Sequence, residues 1–207
     1  MSHKIITIGR QFGSGGSEIG RLTAEALGIP FYDRELIEMA SEKMGIDSFE
    51  LERIDETAIS RFRLLRPDPS ASIHSVIGYG LPLNDNMHAT QNAIIEKLAE
   101  QGPCVFIGRC ADVVLRDRYD CVNVFICAPK AQRIARIAER YSIPERQAAE
   151  AIRKVDRRRR YYYETYTDCD WGSIDSHQVL LNVSLLGRDR VVQIITDMYR
   201  MEPIKEG

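Results

Sequence analysis

Residues 4–20 constrain this chain more than any other stretch, because the apolar pattern changes character within a few positions. Ile5, Ile6, Thr7 and Ile8 form a β-branched run, the composition of a strand buried on both faces. Arg10-Gln11-Phe12-Gly13-Ser14-Gly15-Gly16-Ser17 follows. Beyond it Ile19, Leu22, Ala26 and Leu27 recur at helical spacing. A strand, a glycine-rich turn and a helix start aim several unpaired N–H groups and a positive dipole end at one point. That combination suits a phosphate. The alternative is a glycine-rich β-to-α turn that holds no ligand.

The turn departs from the common phosphate-binding pattern, in which Gly and four further residues precede Gly-Lys-Ser/Thr. With Gly15 in the second glycine position, Arg10 stands where the first glycine belongs. Gly16 stands where the lysine belongs, followed by Ser17. A cation for the β- and γ-phosphates must then come from elsewhere, with Arg10, Lys4 or a later arginine as candidates.

The remaining pattern alternates. Helices are expected over 15–27 (closed by Gly28), Arg34–Met44, Ser48 to about Leu65, and Met87–Glu100. Pro129 opens another, Pro144 one that runs to about Tyr163, and 187–201 the last. Strands are expected at 29–33, 104–107, 121–127 and 179–183. Residues 66–86, rich in Pro and Gly, read as a long functional loop. Strands alternating with helices imply a parallel sheet covered on both faces, with ligands at the strands' carboxyl ends. The 207 residues suit one domain with an inserted subdomain.

A net charge of −2 argues against a general nucleic-acid binder, although the arginine–tyrosine mix at 157–163 would otherwise suit RNA. The first residues read as a strand and not as a leader, and no apolar run reaches the ~20 residues of a membrane span. Five cysteines without CxxC spacing fit free thiols in a reducing cytoplasm, and the four histidines suggest no metal cluster.

Several segments, in order, resemble the cytidylate-kinase-like family of P-loop kinases. They are Arg10–Gly16, Tyr32-Asp33-Arg34-Glu35-Leu36-Ile37, Gly108-Arg109-Cys110-Ala111, Asp156–Tyr163 and Leu181-Asn182-Val183-Ser184-Leu185-Leu186-Gly187. The subfamily resembled carries Gly-Ser-Gly-Gly in place of the lysine-bearing loop. The resemblance implies an α/β three-layer sandwich with a five-stranded parallel sheet, a substrate-binding helical insertion (45–87) and a lid (141–171). It implies ATP and Mg²⁺ as cofactors and small nucleotides as partners, with no nucleic acid and no membrane; self-association stays open. A pyrimidine nucleoside monophosphate, CMP or dCMP, is the first acceptor expected. The alternatives are a nucleotide-binding regulatory protein without transfer activity, and a kinase of a different small molecule.

By residue, the expectations are these. Arg10, Gly13, Ser14, Gly15, Gly16, Ser17 and Asn182 bind ATP, with Ser17 (or Ser14) meeting Mg²⁺. Asp33, Arg34, Arg61 and Arg109 bind the acceptor; Asp33 could instead cap a helix and Arg109 pair with Asp33 or Asp112. Arg109, Arg153, Arg157 and Arg159 neutralise the transferred phosphoryl group. Arg153 also pairs with Asp156 by spacing. Asp112 is a weaker candidate for the Mg²⁺ water shell, and Tyr161–Tyr163 with Trp171 are expected to dock the lid by packing.

Overall fold

The computed structural model describes residues 4–33 and 85–201. Five strands form an all-parallel sheet: β1 (Lys4–Arg10), β2 (Phe31–Tyr32), β3 (Val105–Ile107), β4 (Asp120–Cys127) and β5 (Val179–Asn182), in the order β2-β3-β1-β4-β5. The helices are α1 (Gly16–Leu27), α2 (Asp85–Glu100), α3 (Ala111–Leu115), α4 (Lys130–Tyr141), α5 (Glu145–Thr167), α6 (Val183–Leu186) and α7 (Arg188–Arg200).

Successive side chains of β1 leave the sheet on opposite faces. Ile6 and Ile8 join Ile19 of α1 and Val191 and Ile195 of α7 in one core layer. Ile5 joins Phe106, Leu115 of α3, and Ile94, Ile95 and Leu98 of α2 in the other. Each of these side chains is buried, and each contributes about 1.5–3 kcal/mol. The central strand is thus covered on both sides, as its β-branched run demands.

The expected strand at 29–33 contracts to two residues, and the helix opened by Pro144 runs four residues beyond Tyr163. Two short helices, α3 and α6, were not legible in the pattern. The expected helices over Arg34–Met44 and 48–65, Arg34, Arg61 and nearly all of the 66–86 loop lie outside the described residues. Among the described residues no helix is long and apolar enough to cross a membrane.

Because every strand runs the same way, the residues after β1, β2, β3, β4 and β5 meet at one edge of the sheet. The chain leaves β1 toward β2 and β3, then returns to its other side at β4. The glycine turn therefore sits where the strand order reverses, where open α/β sheets take their ligands.

Candidate active site

The root of the turn is fastened to β4: Gln11 N donates to Ile126 O at 3.0 Å, and Gln11 Oε1 accepts from Ala128 N at 3.2 Å. Its outer side is held by α4 and α5. Asp156 accepts from Phe12 N at 2.7 Å and pairs with Arg133 Nη1 at 2.6 Å, while that nitrogen also donates to Phe12 O at 3.1 Å. Arg133 Nε also donates to Ala128 O, from a residue only 7% exposed. Arg133 is a brace.

Gly13 (φ 80) and Gly15 (φ 86) turn left-handed to fold the loop over the helix start. Ser14 is buried, and both its N–H and its hydroxyl donate to Gln11 O, so neither faces a ligand. Among the described residues, the N–H groups of Gly13, Gly15, Gly16, Ser17 and Glu18 donate to no protein acceptor. The turn has not collapsed onto its own carbonyls, and a concave run of free amides remains at the start of α1.

Arginines gather on the β2–β3 side of this run. Arg10 Nη2 lies 3.3 Å from Asp33 Oδ1, and Asp33 Oδ2 accepts from Ser17 Oγ at 2.6 Å. Arg159 reaches in from α5, donates to Arg10 O at 3.0 Å and stacks over the Phe12 ring. Arg109 follows β3 with φ 62, between left-handed Gly108 and Cys110. A left-handed arginine costs roughly 1–3 kcal/mol of backbone strain. Among the described residues the half-buried Arg109 guanidinium has no hydrogen-bond or ion-pair partner.

The electrostatics follow. Burial first, then the charge of Arg10, pulls Arg109 down, against the opposing pull of Tyr162 and Asp33. Arg159 is drawn down to about 9 by burial, with Arg10 and Arg109 adding to the shift. Guanidiniums keep their proton in proteins at neutral pH. Asp156, which also acts on Arg159, is paired with Arg133, and Asp33 with Arg10, so these four arginines face two carboxylates and the site has a surplus of positive charge that a multivalent anion would balance.

Beside Arg109 stands a polar wall. Tyr162 Oη lies 2.9 Å from His88 Nδ1 and donates to Gln91 Oε1 at 3.0 Å; Asn92 Nδ2 lies 3.1 Å from His88 Nε2. Gln91 Nε2 and Asn92 Oδ1 are buried without a partner among the described residues. The apolar spacing of α2 marks only its inward face; the signal of this polar cluster is His88, Gln91 and Asn92 at helical spacing.

Other expected residues fall elsewhere. Arg153 and Arg157 lie exposed on the outer face of α5 and reach neither the turn nor a charged partner among the described residues. The expected Arg153–Asp156 pair gives way to Arg133–Asp156. Lys4, at the opposite end of β1, pairs with Asp120. Asn182 caps α6 through Ser184 N. Asp112 accepts from Tyr163 Oη at 2.5 Å, and burial pushes its carboxyl up. It lines a separate cleft of about 530 Å³ with Arg116, Cys169 and His177, whose walls include no residue of the turn. Tyr163 is buried and Trp171 meets Phe125 edge-on, while Tyr161 is exposed. The five cysteines are free thiols.

For Mg²⁺, the observation is that Ser17 Oγ and the Asp33 carboxylate already adjoin one another beside the free amides. Two hard oxygens fit an ion that keeps most of its waters and bridges phosphates. Among the described residues no group of three His, Cys, Asp or Glu could hold a metal alone.

Comparison with known proteins bears on the family and the fold. The model of the cytidylate kinase-like family matches residues 5–185. An uncharacterized protein from Eubacterium ventriosum is 24% identical, with a TM-score of 0.71 over 97% of this chain and 100% of its own. Shikimate kinase from Bacteroides thetaiotaomicron is 13% identical, with a TM-score of 0.53 over 97% and 100%. The sheet and its helices are those of the P-loop kinase fold. No curated protein matches the chain.

Proposed function

The chain belongs to the cytidylate kinase-like family, and from that premise we propose that it transfers the γ-phosphoryl group of ATP to a small phosphate-bearing acceptor. A pyrimidine nucleoside monophosphate, CMP or dCMP, is the acceptor to test first. The observation that carries the reading is Arg109: strained, half-buried and unpaired among the described residues, at the end of a central strand beside Arg10 and Arg159. An arginine held so, with like charges around it, fits the capture of an acceptor phosphate.

The free amides of Gly13 and Gly15–Glu18 hold the donor's phosphates. Arg109, with Arg10 behind it, receives the acceptor's phosphate. Arg159 faces the space between them and neutralises charge that spreads over the transferred group. Mg²⁺, nearest to Ser17 and Asp33, would offset the charge of the donor phosphates when bound with ATP. Catalysis is then positioning and electrostatics, without a covalent enzyme intermediate. The vacant lysine position favours one rival, a nucleotide-binding regulatory protein that transfers nothing.

The test is ADP formation with ATP and Mg²⁺ across a panel of nucleoside monophosphates and phosphate-free acceptors. Acceptor-dependent ADP, reduced about 100-fold in Arg109→Ala, supports the proposal. ADP binding by calorimetry with no turnover on any acceptor supports the regulatory reading. No ATP or ADP binding at all refutes both.

A further inference from the structure

Arg136, on α4, lies across the donor side of the turn. Its guanidinium covers Gly15 so closely that a Cβ built there would meet Nη1 at 2.6 Å and Nη2 at 3.2 Å. Nη2 donates to Glu18 Oε2 at 2.7 Å, and the other oxygen of Glu18 accepts from Arg188 Nη1 at 3.2 Å. Glu18 belongs to the first turn of α1, beside the free amides of Gly16 and Ser17. A carboxylate there suits the positive helix end. The chain's own acid thus holds, next to the free amides, a cation that could otherwise engage a phosphate.

We propose that Arg136 supplies the positive charge that the missing lysine leaves lacking, and that Glu18 holds it in reserve until a polyphosphate enters. This rests on reading the turn as the donor-phosphate site. Arg133 and Arg10, which flank the turn, are committed to protein acceptors. Arg133 is buried with its donors on Ala128, Phe12 and Asp156. Arg10 faces Asp33 and the backbone of Gly108 on the acceptor side. Arg136 is partly exposed, and among the described residues its ion pair is with Glu18 alone. Giving up such an exposed pair costs little, whereas a guanidinium fork gains a charge-assisted, bidentate partner in a phosphate.

Calorimetry of the full chain with inorganic pyrophosphate and with ADP tests the idea. Arg136→Ala is expected to bind both about tenfold more weakly, with Arg136→Lys recovering part of the loss. Glu18→Gln is expected to bind both more tightly, and that gain should be clearly smaller in the Arg136→Ala background, where only the loss of the carboxylate's own charge and the release of Arg188 remain. Equal binding by Arg136→Ala and wild type overturns the role of Arg136. An equal gain from Glu18→Gln in both backgrounds overturns the reserve. If the wild type binds neither probe, the donor-site reading itself fails, a result distinct from the other two.

Discussion

The stem of Arg10 occupies the space that a side chain at Gly16 would need: a Cβ built on Gly16 would lie 2.6 Å from Arg10 Cβ and 3.3 Å from Ile126 Cβ. The two departures from the common loop pattern are therefore one exchange. Where a glycine would leave room for a lysine six positions on, an arginine fills that room and position 16 must be bare. The arginine then runs past Gly108, whose missing side chain lets the guanidinium through to Asp33.

Restoring the lysine should accordingly fail. Gly16→Lys is expected to lower stability by about 1–3 kcal/mol through overpacking, without tightening ADP binding. Arg10→Gly combined with Gly16→Lys should cost less than Gly16→Lys alone, because the clash is gone. Thermal unfolding of the wild type and these two variants checks this; a fully stable Gly16→Lys would contradict it.

The brace behind the turn is a second place where one change has a large effect. Asp156→Ala removes the partner of Arg133 and the acceptor for Phe12 N together. An uncompensated buried guanidinium costs about 3–5 kcal/mol. Urea unfolding should show a loss of that size, and calorimetry a weaker grip on ADP, because Phe12 leads directly into Gly13.

His177 sets a pH dependence. It stacks on Phe125, lies 3.0 Å through Nδ1 from Asn123 Oδ1, and has no partner for Nε2 among the described residues. Asn123 Nδ2 donates to Ser176 O, so its Oδ1 faces His177 and the proton belongs on Nδ1. Burial pulls the ring down to about 4 from an ordinary 6.5. The unfolded chain therefore binds a proton that the folded chain refuses. Stability from this group is complete above about pH 6.5 and is lost as pH falls to about 4, a total on the order of 3 kcal/mol. Asp112, pushed up, works in the opposite sense, so the wild type should be compared with His177→Asn. Urea midpoints from pH 7 to 4 should fall more steeply for the wild type; parallel curves would exclude the histidine as the cause.

What the sequence determined by itself is what short-range sterics and periodicity decide. The β-branched run and the left-handed glycines of the turn follow from neighbours within a few residues, as does the alternation of strands and helices. Arg10, Asp33 and Arg109 could be singled out because each lies at or just beyond the end of a strand, and in a parallel sheet all strand ends meet at one edge. The choice among consecutive arginines on α5 is different. Arg153, Arg157 and Arg160 share a face, and the family resemblance implies a lid there, but the helix is oriented by Ile152, Val155 and Tyr163, which are buried. Arg159, four residues after Val155 and four before Tyr163, lies on that buried stripe and turns inward, while Arg153 and Arg157 face out. Arg133 and Arg136 carried no motif at all. Only the packing of α4 against the turn brings one beneath Phe12 and the other over Gly15, because the direction of a charged side chain is decided by the apolar surface its helix buries, and that surface exists only after folding.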